Sequence, residues 1–394
     1  MKKILFLLIG ILVIWGCKEV FESPAKSPKT GYLVVEGAIN SGQGATIITL
    51  SRTSSLENKK KIFETGAQVT IEGADKSTYL LKETAKGQYV AENLNLNRSQ
   101  KYQLKINTGN GEKYKSDFVP VLNNPPIDSV SWESENNGIQ LYINTHDPQN
   151  NTHYYQWESI ETWEYHADKT SAVKYEITSP SFGQEIYKAV YRFPKTPGVF
   201  DSSLFFCWQS NANTNLLLGS TAKLDKDLIY LPIAYIPSAS DQLSVLYSIY
   251  VRQISWSKEG YEFLEKIKKN TEKTGSIFDA QPSEINGNIY CISDPAKPVI
   301  GFVTICPIQE KRLFLKNKTF PNWGYKPLYC SQDTLNNTNK FIVDKKGTAL
   351  IPTQNGPCLG CEATDIKIFY ASAPICVDCK LRGGSSIRPS FWPK

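Results

Sequence analysis

Cysteine and histidine are the residue types in this chain best suited to chemistry, and both are few enough to weigh one by one. Cys17 stands alone near the start, and the other eight cysteines are Cys207, Cys291, Cys306, Cys330, Cys358, Cys361, Cys376 and Cys379. Cys358-Leu-Gly-Cys361 and Cys376-Val-Asp-Cys379 are separated by fourteen residues, just short of zinc-ribbon spacing. Four thiolates so placed could surround Zn²⁺ tetrahedrally. The competing reading is a disulfide framework, since an even number of cysteines in an exported chain favours oxidised pairs. Eight cysteines admit on the order of 100 pairings, and spacing alone does not choose among them. Disulfides are the preferred reading, with a structural role in a loop-rich tail, and zinc is the rival. A redox-active CxxC comes third, because such motifs open a helix in a βαβ unit and nothing around these two resembles one.

The histidines are His146, His153 and His166, all in one segment, and the last two bracket Glu158, Glu161 and Glu164. A metal or acid/base cluster can be drawn from them. His and acidic residues at alternate strand positions are more often the solvated face of a sheet. There is no HExxH, no GxSxG elbow and no GxxxxGK loop. The carboxylates are too scattered to nominate a glycosidase pair. The expectation is a protein that is not an enzyme and takes no cofactor.

Tyr155, Trp157, Trp163 and Tyr165 are all odd-numbered, so a continuous strand would put them on one face. That face is either a stacking platform for sugars or another flat small ligand, or a core face, and core is the commoner use.

The elements that would carry these residues begin with an export signal. Lys2 and Lys3 precede an apolar run at 4–15, and Gly16 then stands directly before Cys17. A run of twelve residues, apolar throughout except Gly10, is short of the roughly 20 that a spanning helix needs. The segment resembles a bacterial lipoprotein signal, in which cleavage leaves an acylated cysteine as the new N-terminus. Residues 1–16 are therefore read as the signal, Cys17 as the lipidation site, and the Pro-punctuated stretch 17–31 as a tether to the bilayer. Lys18, Glu19 and Glu22 resemble an acidic tag for surface export. Without the signal, 378 residues remain, and the total charge of +6 loses Lys2 and Lys3 to become +4. That near-neutral balance implies neither nucleic acid nor an acidic surface as partner.

Tyr (21), Phe (17) and Trp (8) are abundant and Met is confined to position 1, a bias toward strand formers. Residues 32–122 hold about seven short alternating strands separated by Gly/Asn turns, the pattern of a β-sandwich. Asn123-Asn-Pro-Pro126 marks a linker. A second, larger, fibronectin-like β domain is expected over 127–320. It should contain a weakly patterned stretch at 170–198 read as a long loop or inserted hairpin, a hairpin across 289–305, and one amphipathic helix near 258–273. That helix has Tyr261, Leu264 and Ile267 on one face, Ser257 as N-cap and Gly275 as stop. A Cys-rich, loop-rich extension, 321–394, should pack on the second domain. The fold class is mainly β.

Asn288-Ile-Tyr, Pro298-Val-Ile-Gly-Phe, Lys311-Arg-Leu-Phe-Leu, Cys376-Val-Asp-Cys-Lys-Leu-Arg-Gly-Gly384 and Arg388-Pro-Ser-Phe-Trp392 resemble a Bacteroidota lipoprotein family known as a domain of unknown function, number 4249. The resemblance implies an outer-membrane lipoprotein, often encoded near TonB-dependent receptors, with capture of a ligand as its role. The expected function is therefore a surface-facing accessory subunit of a TonB-dependent transporter. The alternatives are a structural or adhesive surface protein and an exported hydrolase.

Overall fold

The computed structural model describes residues 31–54, 60–135, 137–181, 184–272, 287–327, 329–337, 350–356 and 366–394, and the chain is mainly β. The expected signal, Cys17, Gly275, Cys358 and Cys361 lie outside the described residues.

All seven strands expected in the first unit form. Their burial follows the two-residue period: in Gln68–Gly73, Val69 and Ile71 face the core while Thr70 and Glu72 face outward. The sheet runs in the order Lys113–Ser116, Lys101–Asn107, Gln68–Gly73, Thr78–Ala85, Gln88–Glu92, Ala45–Arg52, Leu33–Glu36. The expected hairpin at 289–305 does not form. Ile289–Cys291 pairs antiparallel with Lys113–Ser116, and Val299–Gly301 pairs parallel with Leu33–Glu36, at opposite ends of the same sheet. Ile305–Cys306 adds a parallel bridge to Ile39–Asn40. Ile289, Val299, Val303 and Ile305 are buried in the first core. The expected span of the second domain, 127–320, is thus corrected: the segment 289–306 completes the first unit, covering two edges that seven strands leave open.

The second unit packs a three-stranded sheet (Ile127–Glu135, Gly138–His146, Leu228–Pro237) on a sheet ordered Phe206–Ala212, Tyr154–His166, Leu246–Ser255, Gln309–Lys316. Ile139, Leu141, Ile143 and Ile233 meet Trp157, Tyr165, Tyr247 and Val251 between them. The linker is built into this unit. Asn124 is buried and donates to the Gln253 and Pro307 carbonyls, and Gln253 donates back to the Pro125 carbonyl. These bonds satisfy backbone groups that the prolines leave outside the ladder.

The stretch at 170–198 is the inserted hairpin, Val173–Ser181 with Gln184–Tyr191. With the small sheet Asp333–Asn336, Ile368–Ser372, Ile351–Asn355 it encloses Val173, Tyr191, Leu350, Ile366 and Phe369. The C-terminal portion therefore has a small core of its own, made with strands from far earlier in the chain. Its last residues form a strap across the second unit. Ser385 exchanges backbone bonds with Trp208, and the Arg312 guanidinium lies between the rings of Tyr250 and Phe391. Trp392 is buried against Phe314 and donates to Glu164 at 2.8 Å.

Two disulfides join described residues, Cys207–Cys379 and Cys330–Cys376. They correct the zinc alternative: Cys376 and Cys379, two of its four ligands, are oxidised to other partners. They also exclude a redox pair within that CxxC. Cys291 and Cys306 are free thiols buried in or beside the first core, so their expected place in the disulfide framework is corrected as well.

Candidate binding cleft

The helix Lys258–Glu272 follows directly from the strand Leu246–Ser255 and lies where the two units meet. Ser257 caps it, its hydroxyl accepting from the Gly260 amide at 3.2 Å. Tyr261, Phe263, Leu264 and Ile267 turn inward against Ala38, Ile254, Trp256, Ile300 and Phe302, residues drawn from both units. Gly260 makes this approach feasible, because a β-carbon there would stand 2.7 Å from the Trp256 ring and 3.0 Å from Phe302. The helix is thus a wedge between the units.

A cleft opens on each side of the wedge. One, of about 740 Å³, is lined by Asp117, Phe118, Glu259, Glu262, Lys266 and Asn288 among others. The other, of about 460 Å³, is mainly apolar, with Val35, Ile254, Trp256, Leu264, Ile267 and Phe302 in its walls. Gln156, Glu158, Thr214 and Leu216 close its far end. These four residues also line a smaller recess of about 330 Å³, whose walls mix Trp157, Ile160 and Tyr250 with Asn213, Asn215 and Arg252.

The recess has a local cause. On one side Tyr154–His166 pairs with Leu217–Ser220 through residues 154–157 and with Phe206–Ala212 through residues 160–166. At 158–159 the ladder is interrupted, and the loop 213–216 leaves the sheet with the Asn213 amide donating to the Ser159 carbonyl. Arg252 spans the floor, 2.8 Å from Glu158 and 3.5 Å from Glu310. Burial pushes the Tyr250 hydroxyl above its ordinary range, so it stays a neutral donor and acceptor there.

The candidate residues read from sequence sit elsewhere. Tyr155, Trp157, Trp163 and Tyr165 do share one face, but it is the inner one, and each is less than a tenth exposed. The ligand-platform reading of these four is corrected: the opposing three-stranded sheet covers the face that a ligand would need. Tyr155 donates to buried Asp227, and Trp157 Nε1 donates to Gln253 at 2.9 Å. The exposed stacked aromatics are on the outer face of the three-stranded sheet instead, where Tyr142 and Tyr230 lie 4.4 Å apart and nearly parallel.

The histidines do not form one cluster. His146 pairs with Asp128 at 2.7 Å on the surface, which raises its pKa, and His153 meets Thr221 at 3.3 Å. His166 lies between Phe205 and Phe206 and meets Glu164 at 2.9 Å. Burial alone would raise the Glu164 carboxyl, but the hydrogen bonds from His166 and Trp392 outweigh it and hold the carboxyl below the usual range. Among the described residues no group of three or more His, Cys, Asp or Glu is placed to hold a metal ion, and no helix is long and apolar enough to cross a membrane.

Residue type picks out the helix and its apolar face, but neither its place between the units nor the recess beside it. The available signal was Gly260, a glycine inside an amphipathic helix, which usually marks a close approach.

Among solved structures, this chain is similar over 52% of its length to 29% of chitinase ChiA74 from Bacillus thuringiensis, at 12% identity and a TM-score of 0.14, a likeness too slight to carry an argument. No curated protein matches. The family described as Domain of unknown function (DUF4249) matches residues 18–312, the greater part of the sequence, and the chain belongs to that family.

Proposed function

We propose that this chain is a lipid-anchored protein of the outer membrane, facing outward, that captures a small ligand as an accessory subunit of a TonB-dependent transporter. The observation that carries ligand capture is the pair of clefts beside the helix Lys258–Glu272. Sites for small molecules are concave, about 300–1,000 Å³, often at a junction between units, and largely apolar with a few polar groups; the cleft at Trp256 fits each of these. The anchor rests on the signal-like start and Cys17. The two disulfides support an oxidising compartment. The receptor partner rests on the resemblance described above.

Affinity purification of the chain, tagged at its C-terminus, from gently solubilised outer membranes of its host, followed by mass spectrometry, tests the proposal. A large β-barrel receptor in stoichiometric amount is the expected result. Recovery of the protein alone, or from the soluble fraction, would overturn a stable transporter complex or the anchor respectively.

A further inference from the structure

A third cleft, of about 770 Å³, lies on the outer face of the second unit's larger sheet, beside the C-terminal strap. We propose that it binds an organic polyanion, a small molecule with a flat or apolar body and two or more acidic groups such as sulfate, phosphate or carboxylate. The cleft is separate from those beside the helix, and the inference does not rest on ligand capture there.

The sheet register builds its floor. Trp208, Glu164, Leu246 and Lys316 stand opposite one another across four neighbouring strands. Cys207, Tyr165, Tyr247 and Leu315, next to them in sequence, are buried on the inner face, so the row of four points outward. At ~4.8 Å between strands the row spans ~14 Å, with an indole at one end and an ammonium at the other. The strap adds Trp392 and Arg388, whose guanidinium donates to the Pro393 carbonyl. The turn after Lys316 adds Lys318. That turn is fixed by Asn317, which donates through its backbone amide to the Val245 carbonyl and through its side chain to the Leu243 carbonyl.

Rings and Leu246 supply much of the wall, and the charge on it is mostly of one sign. Lys316, Lys318 and Arg388 face one acidic side chain, Glu164, which already accepts from Trp392 at 2.8 Å and meets His166 at 2.9 Å. Arg388 helps to hold Glu164 ionised but forms no ion pair with it. Lys394 is left out of that count because it carries the last carboxylate of the sequence beside its ammonium. Arg252 and Arg382 on the same unit are ion-paired, with Glu158 and with Asp241, whereas Lys316, Lys318 and Arg388 have no carboxylate partner among the described residues. Like charges gathered in a concave, ring-lined space repel one another and focus a positive field. An anion that spans two or three of them relieves that repulsion, and an apolar body displaces water from the rings. Lysine is a point charge without a fixed fork, so the number of charges, and not the kind of oxyanion, sets the class.

The test is isothermal titration of the purified mature chain with naphthalene-1,5-disulfonate, with naphthalene-1-sulfonate and inorganic sulfate as controls. Saturable 1:1 binding of the disulfonate is expected, about fivefold or more tighter than either control. Raising the salt from ~0.05 M to ~0.5 M should weaken it severalfold by screening. Lys316 and Lys318 are exposed, so Lys316→Gln and Lys318→Gln should each weaken binding about fivefold, and together about 20-fold, at unchanged melting temperature. Lys82→Gln, on an exposed position of the first unit, should leave the affinity as it is. Equal binding of sulfate would reduce the cleft to a simple anion site, and equal binding of the monosulfonate to a one-charge slot; either overturns the polyanion. Absence of saturable binding, full affinity in the double variant, or an equal loss in Lys82→Gln overturns the cleft itself.

Discussion

Removing the Cys207–Cys379 bridge by Cys207→Ala with Cys379→Ala should cost this protein several kcal/mol of stability. The bridge closes a loop of 172 residues and the second bridge, Cys330–Cys376, one of 46. If a disulfide acts by restricting the unfolded chain, a 172-residue loop corresponds to about 5 kcal/mol and a 46-residue loop to about 4 kcal/mol. Because the shorter loop is nested inside the longer one, it shortens the effective length, but the logarithm makes that correction only about 0.3 kcal/mol. Measured losses for native bridges run to about 2–5 kcal/mol, so the expected loss is about 3–5 kcal/mol for either bridge, with little difference between them. Guanidinium unfolding followed by tryptophan fluorescence reads this as a fall in the midpoint. The slope should rise or hold, since the unfolded state becomes less restrained. The competing account is that the tail is held by packing. Arg382 donates to the His166 carbonyl and Asp241 and covers the Tyr165 ring, while Trp392 is clamped by Glu164 and Phe314. A loss below about 1 kcal/mol for the 172-residue bridge, with a native midpoint retained, would refute the entropic reasoning and assign the tail's hold to those contacts.

Other predictions concern the first unit. Glu112 accepts from Arg52 at 3.0 Å and Tyr114 at 2.7 Å and is ion-paired with Lys297, which ties the turn after Ile289–Cys291 to the sheet. Burial opposes its ionisation, but these donors, Lys297 first, outweigh it and bring its pKa from 4.5 to about 2. A lowered carboxyl pKa stabilises the fold above the unfolded value and loses that contribution as pH falls through 4.5 toward 2. Glu112→Gln should therefore cost about 2 kcal/mol at neutral pH, after allowance for partial exposure, and the gap from the native protein should close across that acid window; a gap independent of pH would refute the assignment. Burial pushes the Cys306 thiol up to about 11, so peptide mapping after alkylation should find Cys306 unlabelled in the native protein and labelled in denaturant. Gly287→Ala would place a β-carbon 1.6 Å from the Gly301 carbonyl oxygen and should cost about 3 kcal/mol or more, whereas Gly109→Ala, with open space around it, should stay within about 0.5 kcal/mol; equal melting temperatures would contradict the close approach.

The residues by themselves determined the strands. A two-residue hydrophobic period is written locally, so Gln68–Gly73 or Lys101–Asn107 can be read without knowing any partner. The shared parity of Tyr155, Trp157, Trp163 and Tyr165 was legible for the same reason, and so was the helix that begins after Ser257. Which face a sheet buries is decided by what lies across from it. For those four rings the answer came from Ile139, Leu141 and Ile143, whose own strand looks no different from an exposed one. Pairing is nonlocal in the same way: 289–306 reads as a simple hairpin, yet its strands pair with the two end strands of the first unit's sheet instead of with each other, and Cys379 finds Cys207 across 172 residues. The cleft at Trp256 is the clearest case. Its walls come from Val35, Glu158, Thr214, Leu264 and Phe302, five segments whose spacing carries no common signal. It exists because a helix wedges between two units and one loop steps out of register, and only the tertiary structure brings those two events together.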